Sequence, residues 1–282
     1  MIKLITESGS DLSHEEAAQL HCEILPLHVR FEEEEYLDGV TLSKRDFYEK
    51  LVESTEFPKT SQVTPFAYEE AVSKELKAGN DVIVITLSSK LSGCYQSAIN
   101  GVSDFEGKVA VIDSYSACIG TQILIREAAR QIDNGMPFEQ LVEYLEKMKE
   151  KIRVIALVNT LEYLKKGGRI SAATATAGKL LGIKPVITVR EGEIKLEGTA
   201  RGSKNGQNLL RKYIEKNPIS FKHPVALAYS GFTDVLLQKY LKDSASLYEG
   251  IPEEFFHISF IGAAIGAYVG PDAIGIAFFC ED

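Results

Sequence analysis

Two hydroxyl-rich segments carry most of the chemistry that can be read from the residues. Pro58-Lys59-Thr60-Ser61-Gln62-Val63-Thr64-Pro65 runs directly into an expected helix, and Leu87-Ser88-Ser89-Lys90-Leu91-Ser92-Gly93 lies between an expected strand and helix. Hydroxyls and unpaired backbone N–H groups at a helix N-terminus suit an anion, because the dipole and the donors point the same way. Thr60, Ser61, Ser92 and Gly93 are therefore candidates for holding a carboxylate or phosphate. The bland alternative is that these serines and threonines only cap helices.

Basic side chains mark two further turns in an otherwise acidic chain. Leu164-Lys165-Lys166-Gly167-Gly168-Arg169-Ile170-Ser171 reads either as a helix C-terminus, which favours Lys and Gly, or as a docking or phosphate-contact site. Arg201-Gly202-Ser203-Lys204 offers a second such turn. Near the C-terminus, glycines at 262, 266 and 270 fall on one helix face, where small residues allow close approach of a backbone or a ligand.

Several catalytic patterns are missing. The chain has no GxSxG elbow, and Thr176-Ala177-Gly178-Lys179-Leu180 lacks the first glycine and the hydroxyl of a P-loop. His14-Glu15-Glu16 is followed by Ala18 where HExxH needs its second histidine. His14, His21 and His28 are evenly spaced, but Pro26 breaks any helix that could align them, and all five histidines read as structural. Cys22, Cys94, Cys118 and Cys280 form no CxxC pair, so neither a zinc site nor a disulfide framework is expected.

The elements that position these residues alternate along the chain. Strands are expected at 2–6, 82–87 and 109–113, and helices at 14–20, 90–103, 116–134 and 138–150. Residues 24–31 and 35–38 look extended. Continuous apolar strands alternating with helices imply a parallel sheet covered on both faces, with ligands beyond the carboxyl ends of the strands. After residue 152 the pattern becomes a strand at 153–160, helices at 161–166 and 171–181, a hairpin at 185–199, and further helix–strand pairs. The expected fold is α/β in two domains. Residues 1–152 form an N-terminal parallel sheet covered by helices, and residues 153–282 a C-terminal α/β domain with a mixed sheet.

Composition sets the outer bounds. With 45% apolar and 25% charged residues, the 282-residue chain can build an ordinary core. A net charge of −9 opposes non-specific nucleic-acid binding. No apolar run reaches the ~18 residues of a membrane span, and the N-terminus reads as a strand and not as a signal peptide. A cytoplasmic protein without stable membrane insertion is expected.

In this order, these segments resemble the DegV family over essentially the whole chain. The resemblance rests on Thr60-Ser61-Gln62 with Pro65, Leu91-Ser92-Gly93 with Tyr95-Gln96-Ser97-Ala98, and Asp113-Ser114 with Gly120. It continues through Tyr163 to Ile170, Ile183-Lys184-Pro185, and Gly266 to Pro271. It implies binding of one long-chain fatty acid, with the carboxylate near Thr60 and Ser92 and the acyl chain in an apolar tunnel. It further implies presentation of that carboxylate to a bacterial fatty acid kinase subunit, which uses ATP to form an acyl phosphate for phospholipid synthesis. The chain itself would then be no enzyme and need no cofactor or metal, the fatty acid being its ligand. Arg169 and Arg201 are implied to face the kinase or the transferred phosphate.

Three positions depart from the family pattern. Glu7 stands where Asp is usual, Asp272 where Gly is usual, and Tyr268 where a histidine usually contacts the carboxylate. A phenol donates a hydrogen bond but does not become cationic. Two other readings stay open from the residues: an acyl or phosphoryl transferase using Ser92 or Thr60, with Lys59 or Lys90 as neighbours, and a binding protein for another apolar carboxylate.

Overall fold

The computed structural model describes residues 1–171 and 182–281. Strand β1 (Ile2–Glu7) leads through a 3-10 turn at Ser8–Ser10 to helix α1 (His14–Gln19). Ser13 and Glu16 close the expected capping box there, each side chain bonding the other's N–H. Next come β2 (Cys22–Leu25), β3 (His28–Phe31), β4 (Glu34–Leu37) and α2 (Lys44–Glu53). Strand β5 (Lys59–Ser61) precedes α3 (Pro65–Lys77), whose start is fixed by the Thr64 cap and by Pro65. Then β6 (Asp81–Thr86), α4 (Cys94–Val102) and β7 (Val109–Asp113) complete a four-stranded parallel sheet, ordered β2-β1-β6-β7.

Helices α5 (Ile119–Asp133) and α6 (Phe138–Met148) lead to β8 (Ile152–Leu157) and α7 (Glu162–Lys166). The helix expected at 171–181 lies, apart from its first residue, outside the described residues. Strands β9 (Ile183–Arg190) and β10 (Glu193–Arg201) form the expected hairpin and lead into α8 (Ser203–Lys216). After these come β11 (Val225–Tyr229), α9 (Val235–Asp243), β12 (Phe256–Phe260), α10 (Ala263–Val269) and β13 (Ile274–Phe279). The resulting six-stranded sheet has order β10-β9-β8-β13-β11-β12 and is mixed, since only β11 and β12 run parallel.

The protein is thus α/β, with a parallel sheet in its N-terminal half and a mixed sheet in its C-terminal half. Two details differ from the sequence expectation. Lys59–Ser61 is an edge strand of a small antiparallel sheet, β4-β3-β5, with Thr60 opposite Val29, so this segment is not a loop of free N–H groups. Three residues are too few to show an alternation, and the pairing is set by β3, thirty positions away. Helix α4 begins at Cys94, which leaves the whole of Ser88–Gly93 as a turn.

Helix α5 joins the halves. Twelve of its fifteen residues are buried, far more than the single stripe of a surface helix. One apolar cluster contains Leu4, Ile83 and Ile112 of the parallel sheet, Ile123 and Leu124 of α5, and Val154, Ala228 and Ala277 of the mixed sheet. The two sheets therefore share a core through this helix.

Candidate functional site

A cavity of about 970 Å³, counting its open mouth, lies between the strand ends of the parallel sheet and the inner face of the mixed sheet. Its wall is apolar over most of its extent, with Leu87, Ile119, Ile187, Ile261 and Ile265 among its residues. At one end Thr60, Ser92, Arg169 and Tyr268 come together in the wall. Thr188 also borders the cavity, but its hydroxyl is turned to Val154 O and the Tyr213 phenol.

The polar end is tightly built. The Thr60 hydroxyl and the Tyr268 phenol are hydrogen-bonded at 2.5 Å. Ser92 Oγ accepts the Cys94 N–H at 3.2 Å, a bond that does not use the serine's own proton. The Arg169 guanidinium lies over the Tyr268 ring, 4.7 Å from its centroid, while its Nε donates to Leu91 O and its Nη1 to Gly167 O. On Gly167, a Cβ would come within 2.4 Å of the same ring. The basic glycine turn therefore packs Tyr268 between a bare backbone and a guanidinium. Arg169 belongs to the cavity wall.

The remaining expected residues are not in that wall. Ser61 and Gly93 are exposed. Gly93 serves a neighbouring contact, since a Cβ there would overlap the Gln62 side chain at 1.7 Å. Arg201 is exposed at the end of β10, where its carbonyl accepts the Asn205 amide.

Buried carboxylates hold two of the segments that carry the polar end, the turn after β6 and α10. Glu7 accepts the Leu87 N–H at 3.1 Å and the Tyr68 phenol at 2.5 Å, and burial pushes its carboxyl up to about 7. Asp113 accepts the Ser89 N–H, and the Ser88 hydroxyl donates to Gly192 O at 2.7 Å on the tip of the β9–β10 hairpin. Only glycine fits that tip, because its φ is +78° and a Cβ would sit 2.6 Å from Ser88 Oγ. At α10, Asp38 accepts the Ala263 and Ala264 N–H groups and Asp11 accepts that of Gly262. Burial raises Asp11 to about 6, against the opposing pull of Lys44. The small-residue stripe meets neither a backbone nor the cavity: Gly266 lies against Phe47 and Tyr48, and Gly270 against Tyr163.

Cys118 also borders the cavity, but burial drives its thiol well up, away from a nucleophilic thiolate. No histidine lines the cavity among the described residues. His28 pairs with Glu35 and His223 with Glu127, while burial lowers His257 to about 4. No cluster of potential metal ligands occurs among the described residues, and none of their helices is long and apolar enough to cross a membrane.

A family model described as "Uncharacterised protein, DegV family" matches residues 1–281. The chain belongs to the DegV family. A DegV domain-containing protein from Clostridium acetobutylicum is 34% identical over 285 residues, covering 99% of this chain and 98% of the relative. A solved stearic acid-binding protein from Eubacterium ventriosum is 29% identical, with a TM-score of 0.89 over 99% of this chain and 98% of that one. At 21% identity, the B3 protein of the Streptococcus pneumoniae fatty acid kinase, solved with linoleic acid, shares the fold with a TM-score of 0.85 over all of both chains.

Within this DegV protein, the apolar floor of the cavity was the part missed from the sequence. Along β11 and β13 small and large residues alternate, as in Val225-Ala226-Leu227-Ala228 and Ile274-Gly275-Ile276-Ala277. The large set faces helices α8 and α9, and the small set faces α5 and the cavity. An all-apolar strand with that size alternation was the available signal. Of the departures from the family pattern, Asp272 adopts a left-handed conformation (φ +62°), one that Asp tolerates better than most residues.

Proposed function

We propose that this protein binds one long-chain fatty acid and presents its carboxylate to a separate fatty acid kinase subunit. The observation that carries the proposal is the distribution of polarity: an apolar cavity whose polar groups gather at one end, as Thr60, Ser92, Tyr268 and Arg169. A fatty acid has the same distribution. The stearic acid bound by the Eubacterium ventriosum relative supports the ligand class. The kinase partnership is the further step, drawn from the family resemblance.

One proton of the Thr60–Tyr268 pair is taken up by their mutual bond, so two of the three hydroxyls can donate to a carboxylate without neutralising it by a full ion pair. The Arg169 guanidinium is drawn aside by two carbonyls and a ring, so it contributes field more than a direct clamp. A carboxylate held in this way remains a nucleophile. On the partner, one of its oxygens would attack the γ-phosphorus of ATP, the bond to the β-phosphate oxygen would break, and acyl phosphate and ADP would result. A transferase using Thr60 or Ser92 as nucleophile lacks support, since the hydroxyl of Thr60 is bonded to a phenol and neither lies beside a histidine base.

Native mass spectrometry of the purified protein, followed by solvent extraction, tests the ligand. One fatty acid per chain is expected. A protein that is empty and also refuses added fatty acid would overturn the proposal. Delipidated protein given fatty acid and ATP should form acyl phosphate only when a kinase subunit is present, and activity without that subunit would refute the carrier role.

A further inference from the structure

Strand register places Ile187, Ala156, Gly275 and Ala228 in one row across β9, β8, β13 and β11. All four border the cavity, and the last three are small. Three inter-strand spacings make the row about 14 Å long. Ile119, at the start of α5, reaches over its middle, 3.5 Å from where a Cβ on Gly275 would lie. Helix α10 follows the same course, since Tyr268, Ile265 and Ala264 line the cavity from one helical face, with Ile261 just before the helix also in the wall. The Ile261 N–H donates to Tyr229 O, which fixes the end of α10 remote from Tyr268 beside β11.

The row ends on polar ground. Next to Ala228 in register is Ser259 on β12, buried and hydrogen-bonded to the Gln122 amide at 3.0 and 3.2 Å. Gln122 also donates to Ser10 O. A methyl group pushed past Ala228 would break this buried pair and leave an amide and a hydroxyl unsatisfied. By contrast, the floor before it is bare alanine and glycine.

We infer that the acyl chain lies across the strands of the mixed sheet on this row, and that Gly275 and Ala228 set the longest chain accepted. This rests on the fatty-acid reading above. Added carbon at either position shortens the trough from its far end and leaves the polar end alone.

The test is competition for delipidated protein among a graded series of saturated fatty acids, read by native mass spectrometry, with Gly275→Ala, Ala228→Val and Ala228→Leu. The variants should lose the longest acids, by about fourfold for each methylene excluded, and keep the shorter ones. Gly275→Ala places its Cβ at ordinary contact distance, 3.5–3.6 Å from its neighbours, so it remains informative where a larger residue disrupts folding. A chain-length profile identical to the natural protein's in folded variants would overturn the inference. Failure of the natural protein to take any fatty acid would instead overturn the proposed function, so the two failures are distinguishable.

Discussion

Ser92 offers the cavity a hydroxyl whose oxygen already accepts the Cys94 N–H. Removing it leaves a bound carboxylate short of one donor. Ser92→Ala should therefore weaken fatty-acid affinity by about 1–3 kcal/mol, by the same factor for every chain length. Titration calorimetry on delipidated protein checks this, and unchanged affinity would take Ser92 out of the site. Arg169→Lys keeps the charge but loses the guanidinium over the Tyr268 ring and the paired bonds to Leu91 and Gly167. Weaker lipid binding is expected together with slower partnered phosphorylation, whereas a pure partner contact would change only the second. Thr60 and Ser92 were legible in the sequence because hydroxyls bordering helices are a local signal. The wall position of Arg169 was not, because it depends on Gly167 admitting the ring of a residue a hundred positions away.

At the scale of elements, the turn after β6 hangs from Glu7, whose raised carboxyl gives it a pH signature. Between the ordinary carboxylate range and pH 7 the unfolded chain has released this proton and the folded one keeps it. Rising pH thus favours unfolding across that window and has no further effect from this group above it. Glu7→Gln should lose less thermal stability between pH 5 and pH 8 than the natural protein, with equal losses counting against the assignment. Asp11 acts in the same direction, and Glu127, held down to about 2 by its bonds to His223, Arg130, Tyr144 and Gln131 despite burial, acts only in acid. Element positions followed well from local chemistry where caps were strong, as at Ser13 with Glu16 and at Thr64 with Pro65. Strand β5 escaped because its strand partner among the described residues is the distant β3.

At the scale of the whole molecule, α5 gives both sheets one core, and Ser88 meets Gly192 across the halves. Unfolding in urea should then be a single transition, coincident by tyrosine fluorescence and far-ultraviolet circular dichroism. Two separated transitions would show that the halves fold as independent units. The mixed sheet was foreseeable from its hairpin and strand spacing. The shared core was not, since Gln122, Arg126 and Glu127 of α5 read locally as solvent-facing, and their burial depends on partners such as Ser259, Glu16 and Arg130. The alternation along β11 and β13 also divides labour between the faces of one sheet. Leu227 and Ile276 pack with α8 and α9, and Ala228 and Gly275 line the cavity. A lineage can therefore exchange the second set to suit a new ligand while the first set goes on securing the fold, so that taste evolves at little risk to folding.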